Sequence, residues 1–106
     1  MSLYNATNLH RDLIQAINDR RLIVIDYEPG IRTIEPHAYG ESADDNGLLR
    51  AFQTDGASAS GEQVHWKLFR VDRIRSFELL DERFPGPRPE YRQGDRAMKG
   101  GIYAQL

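Results

Sequence analysis

The chain contains no cysteine, so it has no disulfide framework, no thiolate metal ligand and no thiol nucleophile. It has no apolar run long enough to cross a bilayer and no basic-then-apolar secretory start, which makes the cytoplasm the expected compartment. Neither sign of charge dominates. A formal net charge of −2 gives no global attraction to nucleic acid or to an acidic membrane, so any anion-binding role has to come from a local patch. The glycine-rich dinucleotide loop, the Walker loop, the serine elbow and the His-Glu-x-x-His metal pattern are all missing. No base, nucleophile and oxyanion donor converge along the sequence. The expectation is a protein that is not an enzyme, with no cofactor, catalytic residue or metal site.

What is present is ordinary globular chemistry. The 106 residues, 40% hydrophobic and 28% charged, suit one domain with a modest core and argue against wholesale disorder. Asn8 to Arg20 is expected to be a helix, because Leu9, Leu13, Ala16 and Ile17 share one face. Thr7 or Asn8 is the expected cap, and Arg20-Arg21 close the helix near the negative end of its dipole.

Five strands follow in the expectation: Leu22 to Tyr27, Ile31 to Tyr39, Leu48 to Thr54, Val64 to Arg70 and Arg75 to Leu80. Glu28-Pro29-Gly30 fits a type II turn with glycine at positive φ. Pro36 cannot donate to a ladder and belongs at an edge, a bulge or a strand end. The small residues between Asp55 and Glu62 form a mobile loop, and Val71 to Ile74 a short turn. A helix and five short strands bury their apolar faces best in a small SH3-like or Sm-like barrel with the helix over one opening. The expected division is a helix-plus-barrel domain over residues 1–84 and a Pro/Gly-rich tail over 85–106.

The most informative run is Trp66 to Ile74. Lys67, Arg70, Arg73 and the following Arg75 concentrate positive charge there, opposed locally by Asp72 alone. Arg70 and Arg73 form either an anion clamp, since guanidinium forks suit phosphate, or a turn pinned by Asp72 or Glu78. Arg32 and Arg50 join them if the barrel brings their strands alongside. His37, beside Tyr39, is either a polar ligand contact or a surface imidazole. Trp66 and Phe69 occupy opposite faces of a regular strand, so Phe69 is assigned to the core and Trp66 to the surface or an oligomer contact.

Phe69-Arg70-Val71-Asp72-Arg73-Ile74 closely resembles a signature of the WYL family of bacterial regulatory domains. Weaker likenesses run in the same order from Leu13 to Phe84: Ala16-Ile17 with Arg20-Arg21, Arg32 to Pro36, and Leu48 to Phe52. Where the family has Trp-Tyr-Leu, this chain has Gly47-Leu48-Leu49. The resemblance implies a small free-standing WYL-like protein, without the winged-helix DNA-binding domain that precedes most WYL domains. It implies a Sm-like barrel that senses a small ligand or nucleic acid, with Arg32, Arg70 and Arg73 at basic positions of the family pattern.

Two functions follow as expectations. One is a non-enzymatic ligand-sensing or regulatory module that binds a phosphorylated small molecule, nucleotide or single-stranded nucleic acid. Its candidate ligand residues are Arg32, His37, Tyr39, Arg50, Lys67, Arg70 and Arg73. The alternative is a protein–protein module, a homo-oligomer or the partner of a separate effector, with the C-terminal tail as contact arm.

Overall fold

In the computed structural model, which describes residues 6–106, one helix lies against a single six-stranded antiparallel sheet. Helix α1 (Ala6–Asp19) buries Leu9, Leu13, Ala16 and Ile17, the stripe the spacing predicts. Thr7 and Asn8 lie inside its first turn rather than ahead of it, so the residue that caps it falls outside the described ones. Arg20, at φ 55°, ends the helix in the left-handed region, and β1 (Arg21–Tyr27) starts at once.

The remaining strands are β2 (Gly30–Glu41), β3 (Gly47–Gly56), β4 (His65–Arg70), β5 (Ser76–Arg83) and β6 (Gly101–Gln105). The β1–β2 turn is shifted by one residue from the expected type II turn, with Pro29 rather than Gly30 in its third position. Tyr27 already pairs with Gly30, leaving Glu28 and Pro29, joined by a cis bond, as the whole loop. Gly30 therefore has no need of positive φ.

The hydrogen-bonded path runs β4-β3-β2-β1-β5, with β6 added beside β2. The sheet is curled but not closed, in contrast to the closed barrel expected: among the described residues no ladder joins β4 to β5. A side chain ties the end of β4 to β1 instead. The Arg70 amide at the end of β4 donates to the Tyr27 hydroxyl (3.1 Å), and the Tyr27 ring packs edge-on against Phe69. Val71–Arg73 form one turn of 3₁₀ helix, after which the Arg75 amide donates to the Asp26 carbonyl and starts β5.

β2 is the hub. Its first half pairs with β1 through Ile34, and its second half pairs with β6 from Ala38 along the same edge. Glu35, Pro36 and His37 fall between the two ladders. On the other edge the register against β3 slips between Pro36 and Ala38, so His37 is the extra residue of a bulge. Pro36, with no N–H to give, thus sits where the edge toward β1 and β6 asks for none.

Two layers cover the sheet. The inner face meets α1 around Ile23, Ile25, Ile34, Leu49 and Phe69. The outer face is covered by the irregular segment 84–100, here called the strap, which seats Met98 on Ala38 and Leu48 before β6 enters the sheet. β6 and the end of the strap approach closely enough to require glycine at position 40, where a Cβ would stand 2.3 Å from the Gly101 carbonyl oxygen of β6 and 3.0 Å from the Met98 sulfur of the strap. No helix of the described residues is long and apolar enough to cross a membrane.

Ile34→Ala opens a cavity in this inner core and is expected to cost about 2–5 kcal/mol in urea denaturation. Ile31→Ala, three residues away and 57% exposed, should stay within about 0.5 kcal/mol.

Candidate functional site

Strand alternation sorts the expected ligand residues onto different faces. Phe69 is in the inner core, as expected, and Trp66 and Arg70 therefore face outward with Arg50. Arg32 faces inward and is 4% exposed. Its guanidinium donates to the Tyr27 and Glu28 carbonyls and to Gln53 Oε1, and lies 5.2 Å from the Tyr27 ring centre and 5.4 Å from that of Phe69. Burial lowers its pKa, and among the described residues no carboxylate pairs with it. Arg32 fastens two loops to the mouth of the core.

The other cations are also largely engaged. Arg50 grips Asp95 through Nε (2.7 Å) and Nη2 (3.3 Å), and this bond holds the Asp95 carboxyl below its usual pKa. Arg70 forks onto Asp72 (2.6 and 3.1 Å) and reaches Asn46 Oδ1. Lys67 Nζ donates to the hydroxyls of Ser58 and Ser60 across the β3–β4 loop. Arg73 is exposed and, among the described residues, makes no hydrogen bond or ion pair. Tyr39 is buried inside, its hydroxyl 2.7 Å from His10 Nδ1, and burial raises its pKa. Arg32, Arg70 and Arg73 do not line one concave face.

His37 is fully buried rather than a surface imidazole. Its Nε2 receives the Arg88 backbone N–H at 3.1 Å, so Nε2 is the acceptor and the proton resides on Nδ1. Nδ1–H donates to the Glu35 carbonyl (2.9 Å). The His37 carbonyl in turn receives the Leu106 amide and the Tyr91 hydroxyl. The ring stacks on Phe84 and meets Trp66 and Tyr91. This burial pushes the His37 pKa below its ordinary value. Beside it the Glu35 carboxylate holds Arg88 through two bonds, 2.8 and 3.0 Å, and the Arg88 guanidinium lies 4.0 Å from the Phe52 ring centre.

Where strap and sheet meet, an open cleft of about 270 Å³ forms. The sheet supplies Arg50 and Trp66; the strap supplies Glu90, Tyr91, Arg92 and Asp95. The Trp66 and Tyr91 rings lie nearly parallel, 6.2 Å apart, and the indole N–H donates to Glu90. Arg92 and Arg96 border a hollow that continues the cleft along the strap, and neither is paired among the described residues. These strap residues were not legible in the sequence. Arg88, Glu90, Arg92 and Asp95 show only alternating charge around one tyrosine after a proline run, a pattern that does not name the partners of Asp95 and Arg88, 45 and 53 residues upstream.

Compared with known proteins, the chain matches no family model, no characterised protein by sequence and no solved structure by fold.

Arg32→Ala is expected to destabilise the fold by about 1–3 kcal/mol for each buried acceptor it strands, read by urea denaturation. Arg73→Ala should leave stability within about 0.5 kcal/mol.

Proposed function

We propose that this protein is a non-enzymatic ligand-sensing module that holds a phosphorylated ligand with a planar ring, a nucleotide or a residue of single-stranded nucleic acid, in the cleft between strap and sheet. The observation that carries the reading is the pairing of two stacked, partly exposed rings with an arginine that has no carboxylate partner: Trp66, Tyr91 and Arg92. Aromatic faces accept any base, and an unpaired guanidinium accepts phosphate in a bidentate way. The cleft lies just under the usual size range of small-molecule sites, roughly 300–1,000 Å³, which fits one nucleotide-sized group. Its carboxylates are already engaged, Asp95 by Arg50 and Glu90 by the indole N–H, which suits holding a ligand better than moving its protons.

Kinship with WYL domains, and with small SH3-like or Sm-like barrels in a half-open form, belongs to the same proposal. Its supports are the Phe69-to-Ile74 sequence and five curled strands around one core, with a single 3₁₀ turn before the last. The ligand site differs from the cluster of Arg32, Arg70 and Arg73 that the resemblance implies, because Arg32 and Arg70 are bound to the protein's own groups. A contact arm is the weaker reading of the tail, since β6 is paired within its own sheet.

Trp66 is the sole tryptophan, so its fluorescence reports on the cleft. Adenosine monophosphate and a short oligothymidylate are expected to quench it at low salt, and more weakly as salt rises. Arg92→Ala should weaken binding by about 1.5–3 kcal/mol, the worth of a charged hydrogen bond. Arg73→Ala should change nothing. Absence of quenching by either ligand at low salt, or equal losses from the two variants, would overturn the proposal.

A further inference from the structure

We propose that His37 is a proton-operated latch for the strap: its neutral ring holds residues 85–91 on the sheet, and protonation of Nε2 releases them and opens the cleft. The inference rests on reading the cleft as a ligand site and concerns the regulation of that site.

Donors and acceptors around the ring set the outcome. The group facing Nε2 is a backbone N–H, which can only donate. A proton on Nε2 therefore sets two donors against each other and leaves the Arg88 amide with no acceptor. Nδ1 offers no escape, because it already carries a proton toward the Glu35 carbonyl. The ring cannot reorient cheaply either, packed as it is between Phe84, Trp66 and Tyr91. Departure of the Arg88 backbone gives both the Nε2 proton and the Arg88 amide a water partner, at the cost of the Tyr91 hydroxyl bond to the His37 carbonyl.

Few charges face this ring. From its own strand comes the Glu35 carboxylate, which Arg88 already neutralises through two bonds; from the strap come the Arg88 guanidinium and the Tyr91 hydroxyl. β6 sends the Leu106 amide to the backbone carbonyl, while Trp66 and Phe84 contribute uncharged rings. Burial, the larger influence, and the Arg88 cation both favour the neutral form, against weaker help to the cation from Glu35. The sign follows. The latched state binds fewer protons than the released one, so latching is complete above pH 6.5, the ordinary histidine value, and weakens as pH falls below it.

Release is local because the strap has a second anchor. Asp95, held ionised by Arg50, does not titrate in this range and keeps the distal strap on β3. Gly94, in the left-handed region at φ +74° with nothing near where a Cβ would stand, lies between that anchor and the latch, its amide held by Gln105 Oε1. Tyr91, Glu90 and Arg92, which wall the cleft, lie on the moving side.

The test uses the three histidines. In a His10→Gln/His65→Gln double variant, His37 is the sole histidine left. Trp66 fluorescence of the ligand-free double variant is titrated from about pH 8 to about pH 4.5, with far-UV circular dichroism alongside. A one-proton transition in the emission, with its midpoint below 6.5 and the dichroism unchanged, is expected. His37→Gln should abolish it. Oligothymidylate is the ligand probe, since its diester phosphates hold their charge over this range. Its affinity should fall about tenfold when nine-tenths of the straps are released. A double variant without the transition, or one whose dichroism is lost in step with it, would overturn the latch. A transition with no oligothymidylate binding at any pH would leave the latch standing and remove the ligand reading of the cleft.

Discussion

Pro36 has no amide hydrogen to offer, and the arrangement of both faces of the sheet depends on how β2 accommodates it. β1 stops pairing at Ile34 and β6 starts at Ala38, so the edge is unladdered where the proline sits. The bulge on the opposite edge adds His37 to the strand. Here the returning chain gives its Leu106 amide to the His37 carbonyl, and His37 Nδ1 donates to the Glu35 carbonyl. Glu35 and His37 then become the two fixtures to which Arg88, and with it the strap, is tied. The break in β2 at Pro36 thus lies where the proximal strap is tied, while Arg50 and Asp95 tie its distal part.

Periodicity made the inner layer legible. The helix stripe, the order and approximate extent of β1 to β5, the short turn at Val71 and the inward Phe69 all follow from apolar spacing, and the structure has them. What periodicity does not carry is closure. Whether five strands form a ring depends on the edges of β4 and β5 meeting, and here the Tyr27 side chain takes the Arg70 amide instead of a ladder partner. The sixth strand was hidden for a similar reason. Gly101–Gln105 is short, and its pairing with β2 depends on a gap in that strand set up some 60 residues earlier.

The site was legible only in part. A concentration of cations in the sequence is a statement about supply, and the structure shows how that supply is used. Arg32 is spent on carbonyls, Arg70 on the aspartate two residues on, Arg50 on an aspartate in the strap. Only the second of these pairings joins two oppositely charged side chains near in sequence, which spacing can anticipate. Trp66 was visible as an outward aromatic, but the Tyr91 ring that completes it arrives from a segment without periodicity. His37 looked like a lone imidazole because burial and a backbone donor leave no signature in residue order.

The central claim is that the strap is fastened through the His37 ring, and the hydrogen exchange of one amide tests it most directly. Arg88 lies in an irregular segment, outside any helix or strand, yet its N–H is bound to a buried nitrogen. At neutral pH its amide is expected to exchange as slowly as those of the β2–β6 ladder, while the exposed Arg92 amide exchanges at close to the free rate. An Arg88 amide exchanging as fast as that of Arg92 would contradict the account.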